Sequence, residues 1–243
     1  MPLRAHLAAL RRVVLVSGAA VALCALAVFL GLSDYLLEVL LRPLRLLNVP
    51  VITIGVGEAF MARVRVSLLG GLILGFPVVA WQLGGYLWPA LRGPERRLAL
   101  ALFPAAAVLF AGGAAFSYGV VLPLALRFLL AAAGDFHPMI ALRDYVSFAD
   151  ALLLPGGLAF EAPLVLYLLA RLNLVGAAGL KRRRRYVYLG VFILAALLTP
   201  GTDVLSQVAV AVPTVVLYEA GVVLAGLVER GRRRAAAAGA RSG

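Results

Sequence analysis

Charge is what this sequence has least of. Only 14% of its 243 residues are Asp, Glu, Lys or Arg, where a soluble domain carries about 25%. With 63% hydrophobic residues and a mean hydropathy of +1.01, a water-soluble fold is excluded for most of the chain. Cysteine is nearly absent: Cys24 stands alone inside an apolar run, so neither an internal disulfide nor a thiolate metal framework can form. Histidine is scarce too, with His6 and His137 in different segments, which excludes a histidine-based metal site. The sequence contains no G-x-S-x-G, H-E-x-x-H or Walker loop, the spacings that catalytic nucleophiles, zinc and nucleotide phosphates need. No enzyme activity, metal or cofactor is read here.

Acidic residues are outnumbered 11 to 23 by Lys and Arg, for a net charge of +12. In a soluble protein that excess points to nucleic acid. Here the cations lie in short clusters between apolar runs, the form in which membrane topology is written. No nucleic-acid partner is inferred.

Six apolar segments follow from the charge-free runs, with spans at about 13–32, 66–91, 98–126, 148–170, 186–198 and 204–228. The first has 20 residues without a charge, longer than the roughly 7–15 of a cleavable signal, and is read as a retained span. If the N-terminus is inside, the inner segments hold 17 cations and the outer ones 6. The Lys/Arg bias sets orientation, so both termini are expected on the cytoplasmic face of a cytoplasmic, inner-type membrane. The expected fold is all-α and polytopic. It is read as a single six-helix membrane domain over 1–230, followed by a disordered basic tail over 231–243. The fifth segment leaves about 13 helical residues at 1.5 Å each, too short for a hydrocarbon core of about 30 Å, and implies local thinning of the bilayer. Pro77, Pro104, Pro155, Pro163 and Pro213 interrupt the apolar runs and predict bent helices.

Several polar residues stand out against this background. Leu3, Leu7, Leu10 and Val14 share one helical face with Arg4 and Arg11 on another, an amphipathic helix for the inner interface. Gly93-Pro94-Glu95-Arg96-Arg97 reads as a helix start, and its carboxylate is also an anionic spot for a basic ligand. Glu161 lies in mid-span between Phe160 and Pro163, where an ionisable group is costly and marks a functional site by default. Thr199, Asp203, Ser206 and Gln207 cluster polar groups at the outer end of the last two segments. Glu219 is placed near the inner end of the sixth, within reach of an arginine. Proton sites at Glu161 and Glu219 make a proton-coupled small-solute transporter the alternative reading.

In order along the chain, the landmarks are Pro2-Leu3-x-x-His6-Leu7-x-x-Leu10-Arg11, Arg42-Pro43-Leu44, Phe76-Pro77, Trp88-Pro89-Ala90-Leu91, Glu95-Arg96-Arg97, Phe116-x-Tyr118, Tyr145-x-Ser147-Phe148, Phe160-Glu161-x-Pro163 and Leu198-Thr199-Pro200-Gly201-Thr202-Asp203-x-x-Ser206-Gln207. This set resembles the TatC family, the receptor subunit of the twin-arginine protein translocase. The resemblance implies six helices in a curved, glove-like bundle with the last two short. It implies cytoplasmic recognition of paired-arginine signal peptides and export of folded cargo on the proton-motive force. The implied partners are TatA-type and TatB-type single-span subunits, other copies of the chain and the lipid bilayer. By position, the resemblance gives Glu95, Arg11, His6, Leu10 and Arg96 to signal-peptide binding. It makes Phe160 and Glu161 the intramembrane polar point, gives Thr199, Gln207 and Asp203 to partner docking, and makes Pro43 the proline of the first outer loop. The pattern's N-terminal acid is replaced here by Ala9, and the basic residue two after Arg11 by Val13, so recognition falls mainly on Glu95.

Overall fold

The computed structural model describes residues 3–87, 93–134, 139–172, 174–198 and 204–239. Helices account for nearly all of them: α1 Leu3–Gly31, α2 Ser33–Leu46, α3 Glu58–Leu87, α4 Gly93–Phe116, a π turn Ser117–Val121, α5 Leu122–Ala132, α6 Leu142–Phe160, α7 Ala162–Arg171, α8 Ala177–Leu198 and α9 Val204–Gly239. The two connections that leave α2 and α5 also pair briefly as parallel strands. In them β1 (Val51–Ile52) sets Val51 opposite Ile140, and β2 (Ile140–Ala141) sets Ala141 opposite Ile52. Among the described residues five stretches are long and apolar enough to cross a membrane: α1, α3, α4 continuing into α5, α6 continuing into α7, and α9. Leu15, Leu23, Leu26 and Leu30 of α1 are exposed, as expected where lipid rather than protein is the solvent. The protein is an all-helical polytopic membrane protein.

The helices overrun the charge-free runs at both ends. α3 begins at Glu58, ahead of Arg63 and Arg65, and α6 begins at Leu142, because charges are tolerated in helical turns that stand in the interface. α8 has 22 residues, and Lys181 to Arg185 lie in its first half, which leaves a short apolar stretch after them. α9 carries an apolar stretch over Gln207–Gly231. It runs on as a helix through Gly239, as its Arg- and Ala-rich sequence favours.

The helices gather in two compact units, Met1–Gly157 and Leu158–Gly243. The boundary falls after the Pro155-Gly156-Gly157 stretch of α6. In the first unit α1 and α3 pack backbone to backbone. A Cβ on Gly71 would lie 2.5 Å from the Ala25 backbone, so only glycine permits this approach, the small-residue packing typical of membrane helices. α3 meets α4 through Phe76 stacked on Phe110 at 4.0 Å. In the second unit Tyr218, Val222 and Ala225 of α9 are buried with Ala177 and Leu180 of α8 and Ala170 of α7.

Candidate functional site

Polar groups set into an apolar chain are the candidates, and they gather at three places. The first is the cap formed by the α2–α3 and α5–α6 connections. Asn48 at φ +55 ends α2, a left-handed turn that asparagine tolerates. Glu58 opens α3, two turns ahead of the charge-free stretch. Its carboxylate accepts the N–H groups of Ile54 at 2.6 Å, Gly55 at 3.2 Å and Arg143 at 2.6 Å. Because Arg143 lies in the first turn of α6, one side chain joins two connections at a helix N-terminus, where an anion is favoured. These three hydrogen bonds hold the Glu58 carboxyl below its ordinary range. Beside it opens a cavity of about 600 Å³ bordered by Ile54, Phe60, Met61, Arg65 and Asp144. Arg65 donates to Ser147 Oγ, and an exposed ion pair joins Arg63 to Asp34 at 2.8 Å.

The second place is the break between α6 and α7. Pro163 has no N–H to continue the α6 ladder. The chain turns with Glu161 N–H donating to Leu158 O at 3.1 Å, and α7 starts with Val165 N–H donating to Glu161 O at 2.9 Å. Phe160 and Glu161 are half-buried at this break. α9 approaches it closely, for a Cβ on Gly221 would lie 3.1 Å from Pro163 Cα.

The third place is the α8–α9 pair. Arg184 and Glu219 form an ion pair, and Tyr188 donates to the other carboxylate oxygen of Glu219 at 2.5 Å. Tyr218 donates to Leu180 O at 3.0 Å, and Glu229 accepts the Ala177 N–H at 2.7 Å. At the other end Gln207 Nε2 donates to Phe192 O at 2.8 Å.

Of the residues singled out from sequence, Leu10 and Arg11 are exposed on α1, Pro43 is buried in α2, and Phe160 and Glu161 meet at the helix break. Gln207 ties α9 to α8. His6 lies in α1 and Glu95 and Arg96 open α4, with their side chains outside the described set; Thr199 and Asp203 fall outside the described residues. Three features escaped the sequence reading. Glu58 is the first, as the carboxylate that joins the two connections. Asp150 is the second, within α6 with Oδ1 buried and without a hydrogen bond among the described residues. The hydroxyls of Tyr118 and Tyr145 bond to backbone carbonyls, which leave no side-chain partner to read. Among the described residues no three His, Cys, Asp or Glu side chains gather to hold a metal.

Polar side chains set at helix breaks and helix pairs, in a chain with five membrane-length apolar stretches among its described residues, define a polytopic helical membrane protein. The family model described as Sec-independent protein translocase protein (TatC) matches residues 5–213. The chain is 40% identical over 226 residues to the TatC of Carboxydothermus hydrogenoformans, covering 93% of each. It is 33% identical over 238 residues to that of Aquifex aeolicus, covering 96% of this chain and 98% of the relative. A crystal structure of the twin-arginine translocase receptor TatC matches with a TM-score of 0.84 at 32% identity, covering 92% of this chain and 99% of that one. The same receptor crystallised in DDM gives 0.83 at 32% identity, over 90% and 99%. The chain belongs to the TatC family. It is a subunit of a Sec-independent protein translocase.

Proposed function

We propose that this subunit is the cytoplasmic receptor for paired-arginine signal peptides and the platform on which the export apparatus assembles. In this reading the chain lies in the cytoplasmic membrane with both termini inside and six crossings, the fifth made by a shortened α8. Glu95, at the start of α4, faces the cytoplasm with Arg96, and together with His6, Leu10 and Arg11 of α1 it receives the signal. An arginine pairs with a carboxylate in a bidentate fork, but a partly exposed pair contributes only about 1 kcal/mol. Charge alone therefore does not select a signal, and the apolar segment behind the arginines adds binding along the helices near Phe160 and Glu161. Thr199, Asp203 and Gln207 dock single-span subunits of the TatA and TatB type, and further copies of the chain complete the assembly. The proton-motive force drives transport of the folded cargo.

The observation that supports this reading best is the break at Glu161. A half-buried carboxylate at an interrupted apolar helix is costly in lipid and is kept where a ligand or partner meets it. Glu95→Ala should reduce export of a folded reporter with a twin-arginine signal at least tenfold, with the chain present at its normal level in the membrane. Near-normal export would remove Glu95 from the receptor site.

A further inference from the structure

Pro43 stands in the last turn of α2, four residues after Val39. In an α-helix the Val39 carbonyl accepts the N–H of residue 43, and proline has none. Water would serve an exposed carbonyl, but Leu40, Pro43 and Leu44 are buried, with Leu44 at 0% exposure. Tyr118 supplies the missing donor: its hydroxyl lies 2.6 Å from Val39 O. One residue further on, the buried Tyr145 donates to Leu40 O at 2.5 Å. Tyr118 sits in the π turn Ser117–Val121, whose extra residue resets the side-chain register between α4 and α5. Tyr145 comes from the first turns of α6. Two hydroxyls from separate helices therefore hold consecutive carbonyls of the α2 backbone.

We propose that Tyr118 and Tyr145 are positioning residues that lock α2 into the cap, with Tyr118 standing in for the backbone donor that Pro43 lacks. The two bonds differ in kind. Val39 O depends on Tyr118 because of the proline, whereas Leu40 has an N–H-bearing residue, Leu44, four positions on. Restoring an N–H at 43 should therefore make the Tyr118 hydroxyl dispensable and leave the contribution of Tyr145 unchanged.

The test is amide hydrogen exchange across residues 36–47 of the full chain in lipid nanodiscs, on Tyr118→Phe and Tyr145→Phe in the parent and in Pro43→Ala. Tyrosine to phenylalanine removes one oxygen and keeps the ring, so the fold is retained. In the parent, Tyr118→Phe should speed exchange about fivefold, the worth of one net hydrogen bond. In Pro43→Ala the same change should have less than about a twofold effect, while Tyr145→Phe gives about fivefold in both. Equal effects of Tyr118→Phe in the two backgrounds, or no effect in the parent, would overturn the proposal. A second arm, which alone rests on the receptor reading above, uses the full translocase in membranes. Tyr118→Phe should lower reporter export about fivefold and leave intact the signal-peptide crosslinking from position 99, one helical turn beyond an unchanged Glu95. Undiminished export, or loss of both signals together, contradicts a positioning role. Failure of the receptor reading would leave the exchange pattern untouched.

Discussion

Arg184 of α8 and Glu219 of α9 are paired across the last two helices, and Tyr188 shares the carboxylate at 2.5 Å. Each side chain is only partly exposed, at 40% and 30%, so the pair stands between a surface bridge worth about 1 kcal/mol or less and a buried one, where removing a partner costs about 3–5 kcal/mol.

Glu219→Ala should accordingly destabilise the chain by about 2 kcal/mol, since it leaves the Arg184 charge and the Tyr188 hydroxyl without their shared acceptor. Thermal unfolding in detergent checks this. The exchanged pair, Arg184→Glu with Glu219→Arg, should recover part of the loss, and a Glu219→Ala variant as stable as the parent would show the pair to be inert.

The Glu58 carboxylate, held by three backbone N–H groups, titrates below its ordinary value of 4.5. Its folded-state value is depressed, so its contribution is complete above 4.5 and disappears as the pH falls through the lower, folded-state value. Acidification through that window should release protection at the amides of Ile54 and Arg143, after correction for intrinsic exchange. Glu58→Gln should show weakened protection at neutral pH and no acid step. An acid step that persists in the variant would assign it to another carboxylate.

Gly71→Ala should cost about 1–3 kcal/mol, the range for overpacking a tight contact, because the added methyl meets the Ala25 backbone at 2.5 Å. Gly112→Ala, with nothing within 4 Å, is the control and should be neutral or slightly stabilising in its helix. Melting temperatures of the two variants in the same detergent decide the matter; equal values would mean that α1 and α3 separate without cost.

The helices were legible because an apolar run without charge has few alternatives in lipid. Their ends were not, since Glu58, Arg63, Arg65 and Asp144 sit in helical turns that composition assigns to loops. α2 was hidden for the same reason: Asp34, Glu38, Arg42, Arg45 and an internal Pro43 disguise a helix whose Leu40 and Leu44 are nonetheless buried. Glu161 was visible as a carboxylate in an apolar run. The arginine that Glu219 pairs with was not identifiable, because 35 residues separate the two and five consecutive cations compete for the role. The tyrosine hydroxyls were beyond reach, since an acceptor carbonyl belongs to every residue alike.

Asp150 presents a cost without a visible return. Its Oδ1 is buried without a hydrogen bond among the described residues, and a polar group in that position is unfavourable. Asp150→Leu should raise the melting temperature and leave export unchanged. A stable variant that fails to export would convert this carboxylate into a working group.

The receptor role itself is tested most directly by a photoreactive side chain at position 99, one helical turn beyond an intact Glu95, in the assembled translocase offered a signal peptide with Arg-Arg or with Lys-Lys. Strong crosslinks to the arginine peptide and at least tenfold weaker ones to the lysine peptide are predicted, because the guanidinium fork matches a carboxylate as an ammonium does not. Equal labelling of both peptides, or labelling of neither, would contradict recognition at the start of α4.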